Sequence, residues 1–277
     1  MHFRVLEPPA AVRPWVSSGV QLDFDSAGTR PLPCHFPALV EGGLTVVRQG
    51  RFLVPGPSGA WTPLPRAFVS SAHALPMTLY RTPRLQCIGL RLQPAATLAL
   101  LQGSPLGLPN GLADAADVFG RPWDDVVDRI EAAAAPAQGV GWLFAFVAER
   151  LAGDVHRQRL QRPWLLQQAA LQQLEPAQAV GLGARQFERV FTGAFGLRPK
   201  LFQRVARVEA LLRDALAARS SGADLALRHG FYDQSHMARD LRLLAGAPLQ
   251  ELVAAVRRQD TAHWALAVGT SRRERSA

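Results

Sequence analysis

The side chains best suited to chemistry in this chain lie within residues 230–248 and carry amide, hydroxyl, imidazole and guanidinium groups. Gly230 can take the positive φ that ends one helix, and Asp233 can cap the start of the next. Apolar residues recur at helical spacing and are predicted to face inward: Met237, Leu241 and Leu244. The hydrogen-bonding side chains then lie on the outer face: Gln234, Ser235, His236, Arg239 and Arg242. Because Arg suits guanine and Gln suits adenine, this pattern favours the reading of DNA bases.

A second copy of the pattern lies upstream, with Gly181 in the place of Gly230 and Pro199 in the place of Pro248. Its apolar stripe is predicted to be buried: Phe187, Val190, Phe191, Ala194 and Phe195. Its outer face carries Arg185, Gln186, Glu188 and Arg189. Residues 199–218 between the copies are predicted to form one long helix, with Lys200 at its start. Internal repetition of this kind indicates two helix-turn-helix units.

Several outward positions also have a structural interpretation. Arg189 and Arg239 occupy equivalent places in the two copies, so either could hold an ion pair instead of a base. His236 could cap or pack. Glu188 is repelled by phosphate, and therefore either accepts a hydrogen bond from cytosine or balances Arg185.

These runs resemble the AraC/XylS family of transcriptional regulators, on residues 185–191, 195–199 and 230–236. The resemblance extends over residues 163–258 and implies two helix-turn-helix units joined by one long helix, docked in successive major grooves. It also implies that bases are contacted from the first two turns of each recognition helix. In this sequence those positions are Arg185, Glu188, Arg189, Gln234, Ser235, His236 and Arg239.

The two units depart from the pattern in different ways. Pro176 stands where the second unit has Leu225, so the helix before Gly181 is predicted to be only about five residues long. The second unit is shorter after Gly246 than the first is after Gly196. We therefore expect the second unit to make the better-defined groove contact and the first to bind mainly through phosphates.

Charge supports a polyanion partner for the same half of the chain. Residues 1–155 hold 12 basic and 12 acidic side chains, whereas residues 156–277 hold 19 and 10. The formal excess of +9 therefore lies entirely with the repeat.

Fifteen of the 21 prolines precede residue 110, which argues against long helices in the N-terminal half. We therefore expect a small β domain of barrel or sandwich type there. Short apolar runs predict strands at residues 44–47, 52–54, 68–69, 77–80 and 85–92. Helices are predicted at residues 94–101, 124–135 and 141–151. The family carries a cupin-like effector-binding domain here, followed by helices that often dimerise. Residues 88–94 and 117–120 resemble an N-terminal domain found on a subgroup of these regulators.

The predicted fold class is α+β: a small β-barrel or cupin-like N-terminal domain with following helices, then an all-α double helix-turn-helix domain. We expect a β-rich effector-binding or dimerisation domain in residues 1–115 and a helical connector in 116–160. The AraC-type DNA-binding domain should occupy residues 161–260, and a basic, mostly disordered tail residues 261–277.

Catalytic and metal-binding patterns are weak. The seven histidines form no His-x-His pair; His35 and His73 could meet across a barrel, but scattered histidines are more often packed or exposed. Cys34 lies in a Pro-Cys-His setting that resembles alkyl-transfer repair proteins, although Phe36 replaces their arginine. We expect no enzyme, no metal and no cofactor. The chain lacks a leader and any run of 18 apolar residues, so we expect a soluble cytoplasmic protein without a membrane partner.

The sequence therefore predicts a DNA-binding transcriptional regulator or activator whose N-terminal domain binds a small-molecule effector. One alternative is an N-terminal domain that has no effector and serves only for oligomerisation, supported if Phe68, Ile88, Leu90 and Leu92 line a barrel without polar groups. The other is a thiol-based alkyl-transfer protein using Cys34. Double-stranded DNA is the expected partner; a homodimer and contact with RNA polymerase are compatible with the resemblance.

Overall fold

The structure, a computed structural model, describes residues 1–56, 59–101, 111–172, 175–217, 222–270 and 274–275. The strands are β1 (His2–Glu7), β2 (Val16–Asp25), β3 (Leu32–Phe36), β4 (Gly42–Gln49), β5 (Phe52–Pro55), β6 (Trp61–Pro63), β7 (Ala67–Ser70), β8 (Met77–Arg81), β9 (Arg84–Leu92), β10 (Leu112–Asp114) and β11 (Glu274–Arg275). They form a seven-stranded sheet of order β10-β7-β4-β9-β2-β1-β11 and a four-stranded sheet of order β3-β8-β5-β6.

Strand β9 is buried on both faces, which explains its nearly continuous apolar run. Leu85 and Cys87 face the second sheet and belong to the core between the two sheets. Ile88, Leu90 and Leu92 belong to a different core, shared with the helices that cover the other face. Because side chains alternate along a strand, this one strand supplies both cores.

The α+β class and the β-rich first domain are confirmed, but the two sheets form no closed barrel within the described residues. The five predicted strands are present as β4, β5, β7, β8 and β9. The sequence reading missed β1, β2, β3, β6, β10 and β11. Ile88, Leu90 and Leu92, expected to line a barrel, pack against the helices instead, because the even-numbered side chains of β9 point away from the second sheet.

The helices are α1 (Pro94–Leu100), α2 (Ala115–Phe119), α3 (Pro122–Ala132), α4 (Pro136–Ala152), α5 (Asp154–Gln172), α6 (Pro176–Ala179), α7 (Ala184–Phe195), α8 (Pro199–Ala217), α9 (Gly222–Arg228), α10 (Gln234–Ala245), α11 (Leu249–Arg257) and α12 (Trp264–Thr270). Pro136 begins α4 instead of breaking the chain before it, since proline fits the first helical turn. The three predicted helices of the first half therefore correspond to α1, α3 and α4, and no helix in the described part of the chain is long and apolar enough to cross a membrane.

Helix α4 lies across β2 and β9 and covers the core that contains Ile88, Leu90 and Leu92. It buries Val140, Leu143 and Phe144, and Gly19 on β2 lies beneath it. A methyl group added at Gly19 would collide with Val140 and Phe144. The absence of a side chain at residue 19 therefore sets how closely the helix approaches the sheet.

Helices α6 to α11 form the predicted pair of helix-turn-helix units around α8. Gly181 and Gly230 take φ of 69° and 67°, and Gly196 and Gly246 take φ of 70° and 84°. The same left-handed turns thus occur at equivalent places in both units. Helix α6 has only four residues, as expected from Pro176.

The predicted disordered tail is wrong for residues 261–270. A 3-10 turn, Thr261–His263, leads into α12, whose Leu266 and Val268 are buried. Apolar side chains of this short helix pack on both domains. The segment has few apolar residues, and its sequence therefore did not predict this packing. Residues 271–273 and 276–277 of the predicted tail lie outside the described residues, and so does Ala218 of the predicted long helix.

Replacing Gly19 with alanine should lower the free energy of unfolding by about 1–3 kcal/mol, because α4 must shift to admit the methyl group. Gly141→Ala, on α4 itself, is the control, since its methyl group would meet no atom within 4 Å. That control should be neutral or slightly stabilising. Urea unfolding of the three proteins checks this; equal stabilities would contradict the packing described.

Candidate nucleic-acid interface and ligand cavity

Helix α10 begins with the predicted cap and presents the predicted outer face. The carboxylate of Asp233 accepts a hydrogen bond from the backbone N–H of His236 at 2.6 Å. Met237, Leu241 and Leu244 are buried, as the helical spacing predicted. The exposed side chains on this helix include those expected to reach DNA: Gln234, Ser235, Arg239 and Arg242.

A buried carboxylate anchors α10 to α8. Asp240 is 3% exposed and accepts a hydrogen bond from Nη2 of Arg204 at 2.6 Å. Nη2 of Arg207 lies 3.5 Å from the same carboxylate, and its guanidinium stacks on the ring of Phe231. Two α8 arginines therefore hold the second recognition helix in a fixed orientation.

His236 is half-buried and packs edge-on against Phe231, with ring centroids 5.4 Å apart. Its Nε2 lies 3.9 Å from the carboxylate of Asp240. Both contacts fit the packing interpretation of this residue better than free access to a base edge. The structure therefore separates His236 from its more exposed neighbours on the helix.

Helix α7 is the equivalent helix of the first unit, and it has a weaker start. Its N-cap is Gly183, which supplies no side-chain hydrogen bond. Three aromatic side chains anchor its inner face: Phe187, Phe191 and Phe195. Its outer face exposes Arg185, Gln186, Glu188 and Arg189. Lys200, at the start of α8, is exposed as well.

The arginines of the two outer faces are not held in ion pairs. Among the described residues, no carboxylate lies within 4 Å of the guanidinium of Arg185, Arg189 or Arg239. Arg239 makes only a long bond, 3.4 Å, to the carbonyl of Ser235. Glu188 lies 3.9 Å from Arg198, so it balances that residue instead of Arg185. The free arginines remain open to an anionic partner.

Tyr232 is a candidate contact that the sequence reading missed. It is 93% exposed and lies in the turn directly before α10. With Arg204, His236 and Arg239 it borders a shallow depression on the outer face of the second unit. An aromatic side chain this exposed is unusual if its role is packing alone. The sequence did not indicate Tyr232 as a contact, because the residue lies in a turn and outside the helical spacing used to assign the outer face.

A cavity of about 180 Å³ lies between the two sheets and continues to the surface of α8. Its walls are mainly apolar, and include Leu22, Phe52 and Phe68 from the β domain. Leu212 and Leu216 of α8 form part of the far wall. Because the DNA-binding domain lines part of this cavity, an occupant would contact both halves of the protein.

A cluster of four charged groups lies at the α8 end of the cavity. Arg91 of β9 forms ion pairs with Glu41 and with Glu209 of α8, the latter at 2.9 Å from Nη2 to Oε1. Arg213 lies 3.4 Å from the same oxygen of Glu209. Burial and the nearby Glu41 carboxylate raise the pKa of Glu209 to about 7, although both arginines oppose that rise. The cluster joins the two domains through charged residues that lie far apart in the sequence.

The remaining nucleophile and histidine candidates are occupied by packing. Cys34 is fully buried, and burial raises the pKa of its thiol, so a thiolate is disfavoured. Nε2 of His73 bonds the carbonyl oxygen of Pro37 at 2.6 Å, whereas His35 lies against His263 with ring centroids 5.0 Å apart. The two rings therefore have different neighbours, in line with the expectation that scattered histidines are packed or exposed.

Residues 177–255 match the family model of a helix-turn-helix domain, of the AraC type. Among solved structures, the chain is similar to ToxT from Vibrio cholerae O395, with 8% identity, 86% of this chain and 98% of that chain covered, and a TM-score of 0.45. It is also similar to unsaturated fatty acid bound wild-type ToxT from Vibrio cholerae strain SCE256, with 10% identity, 89% of this chain and 96% of that chain covered, and a TM-score of 0.46. The AraC-like transcriptional activator CuxR is similar with 11% identity, 97% of this chain and 90% of that chain covered, and a TM-score of 0.27. A search of curated proteins finds no match to the sequence.

The raised pKa of Glu209 predicts that stability falls as pH rises between its ordinary value, 4.5, and about 7. Within that window the folded protein keeps a proton that the unfolded chain releases, so the stabilisation is complete below the window and lost above it. In Glu209→Gln this contribution disappears, and the free energy of unfolding should decline less over the same range.

Urea unfolding at about pH 5 and about pH 7.5 checks the difference between the two proteins. Glu188→Gln is the matched control, because Glu188 is exposed and should behave like the unmodified protein. The account of the cluster fails if Glu209→Gln and Glu188→Gln show the same dependence on pH.

Proposed function

We propose that this chain, whose residues 177–255 form an AraC-type helix-turn-helix domain, is a sequence-specific transcriptional regulator controlled by a small molecule. The observation that carries the proposal is the pair of outer helix faces, on α7 and α10, whose arginines lack carboxylate partners among the described residues. Guanidinium groups in this state suit the edges of guanine and the phosphates of the backbone.

The length of α8 fits two contacts on one face of DNA. Its 19 residues span about 28 Å at 1.5 Å per residue, somewhat less than one turn of B-DNA. Because α7 and α10 flank this helix and pack against it, their outer faces can enter successive major grooves. We propose base contacts from Arg185, Glu188, Arg189, Gln234, Ser235, Arg239 and Arg242, whereas His236 packs against Phe231 beside Asp240.

The two units are not equivalent in this proposal. Asp233 caps α10 with a side-chain bond, and Asp240 fixes the helix on α8. Helix α7 lacks a side-chain cap and follows the four-residue α6. The second unit should therefore discriminate sequence more strongly, while Gln186, Lys200 and the first unit contribute mainly phosphate contacts.

The cavity supports a small-molecule effector over an N-terminal domain without one. An interior without polar groups would have supported the effector-less alternative, yet Arg91, Glu41 and Glu209 border one end of this cavity. Apolar walls with a few convergent polar groups are typical of ligand sites.

Helix α8 gives the effector a route to the DNA contacts. It lines the cavity through Leu212 and Leu216 and holds α10 through Arg204. A ligand shifts the protein between arrangements only by binding one of them better, and contact with both domains supplies that difference.

The proposal places the protein in the cytoplasm, with double-stranded DNA as its partner. Contact with RNA polymerase and a homodimer stay open as parts of the same mechanism. The thiol-based alternative is disfavoured by the burial of Cys34. Failure of native Cys34 to react with an alkylating probe would remove it.

Arg239→Ala should weaken DNA binding and relax the preference at one base position, at a cost of about 1–3 kcal/mol in discrimination. The comparison is a binding selection over a random DNA library with the wild-type and variant proteins. Arg84→Ala is the control, because Arg84 is an exposed arginine on the β domain, paired with Asp25. Unchanged affinity and preference in Arg239→Ala would remove α10 from the role of reader.

Lys200→Ala should lower affinity evenly across sequences, since a lysine at the start of α8 is placed to meet a phosphate. The slope of log affinity against log salt concentration should become shallower by about 0.9, the value for one lost phosphate contact. Titrations of one DNA fragment at several salt concentrations measure it. A changed sequence preference with an unchanged slope would assign Lys200 to a base instead.

A further inference from the structure

The segment of residues 261–270, the 3-10 turn plus α12, lies beyond the helix-turn-helix match and returns to the β domain. We propose that this segment is a strap that closes the cavity and couples its occupancy to α8. The strap itself stands on the contacts below; its effect on DNA binding rests on the proposed function.

The chain turns back towards the β domain through a strained residue. Gln259 has φ of 56°, the one positive φ outside glycine among the described residues. Its N–H bonds the carbonyl of Val256, and the N–H of Asp260 bonds the carbonyl of Ala255, each at 3.0 Å. Asp260 then accepts a bond from the N–H of Ala262 at 2.9 Å. A left-handed non-glycine residue costs free energy, so the redirection must be held by what the segment contacts next.

The strap has apolar contacts with both domains. Trp264 packs edge-on against Phe36 and Phe24 of the β domain, with ring centroids 5.3 Å and 6.2 Å apart. Val268 is buried in the core between the sheets, whereas Leu266 is buried in the core of the helix-turn-helix domain. Two neighbouring positions on one short helix therefore join the two hydrophobic cores.

The strap also forms a wall of the cavity. Trp264, Leu266 and Val268 line it beside Leu212 and Leu216 of α8. An effector that fills this cavity therefore contacts the strap and α8 together. Occupancy of the cavity is thereby linked to whether the strap stays closed.

Closure has an electrostatic cost that makes the strap able to open. Arg81 is 0% exposed, and no carboxylate among the described residues lies within ion-pair distance. Its guanidinium stacks on Phe24 at 4.0 Å and bonds neutral oxygens, including Oγ1 of Thr261 in the strap at 3.4 Å. Because a buried charge without a counter-ion is costly, exposure of Arg81 to water on opening offsets part of the lost apolar contact.

Hydrogen exchange on the full chain, without DNA or effector, tests the strap. In Trp264→Ala, exchange should accelerate at least tenfold in β3, which the strap covers, and also in residues 208–216 of α8. Trp61→Ala is the matched control: Trp61 stacks on Tyr80 of the same four-stranded sheet and is 41% exposed. It should leave α8 unchanged. Faster exchange confined to β3 would mean a local packing role and would overturn the coupling.

The milder variant Trp264→Phe keeps an aromatic ring against Phe24 and Phe36 and guards against loss of folding in Trp264→Ala. It should accelerate exchange in β3 and α8 together, by a smaller factor. Acceleration in neither segment, in a variant that has lost the indole, would also overturn the strap.

The regulatory step is then tested with a DNA fragment that the wild-type protein binds. Trp264→Ala should change its affinity at least threefold, and Trp61→Ala should not. Equal affinities alongside coupled exchange would overturn the regulatory step. If the wild-type protein binds no DNA fragment, the proposed function fails, while the exchange experiment still decides whether the strap exists.

Discussion

The structure depends on the packing of one helix, α8, against three different neighbours. Phe202 and Val205 are fully buried and belong to the core of the helix-turn-helix domain, Arg204 and Arg207 hold α10 through Asp240, and Leu212 and Leu216 face the cavity. A helix buried on this many sides cannot move without disturbing each contact, because packed interiors deform in discrete steps. The positions of α7 and α10, the proposed recognition helices, are therefore tied to the state of the β domain.

The two halves meet through apolar contacts and through buried charged groups, and these two kinds of contact have opposite effects on the free energy of closure. Apolar contacts from Leu266 and Val268 favour closure, whereas the buried charges of Glu209 and Arg81 cost free energy unless they are well paired. Glu209 has two arginines beside it, but burial and the carboxylate of Glu41 raise its pKa. The balance between these contacts is therefore expected to depend on pH and on the occupant of the cavity.

Local patterns in the sequence predicted the helix-turn-helix half well. The φ of Gly230, the cap at Asp233 and the buried stripe of α10 each follow from a few neighbouring residues, and repetition fixed their equivalents in the first unit. The long-range features were not predictable in this way. Arg91 meets Glu209 across 118 positions, and Trp264 meets Phe24 only because Gln259 turns the chain back. Strands β2 and β3 were missed because their alternation is interrupted, by serine and glycine in β2 and by proline in β3.

The most direct test of the central claim is a selection of bound genome fragments with the purified full-length protein at two salt concentrations. Two recognition helices on one rigid α8 predict a short motif with two contacts about ten base pairs apart, one turn of the double helix, retained at the higher salt. The second contact should be the more sharply defined, since α10 is capped and anchored. Weak binding that falls steeply with salt and enriches no motif would contradict a sequence-specific regulator.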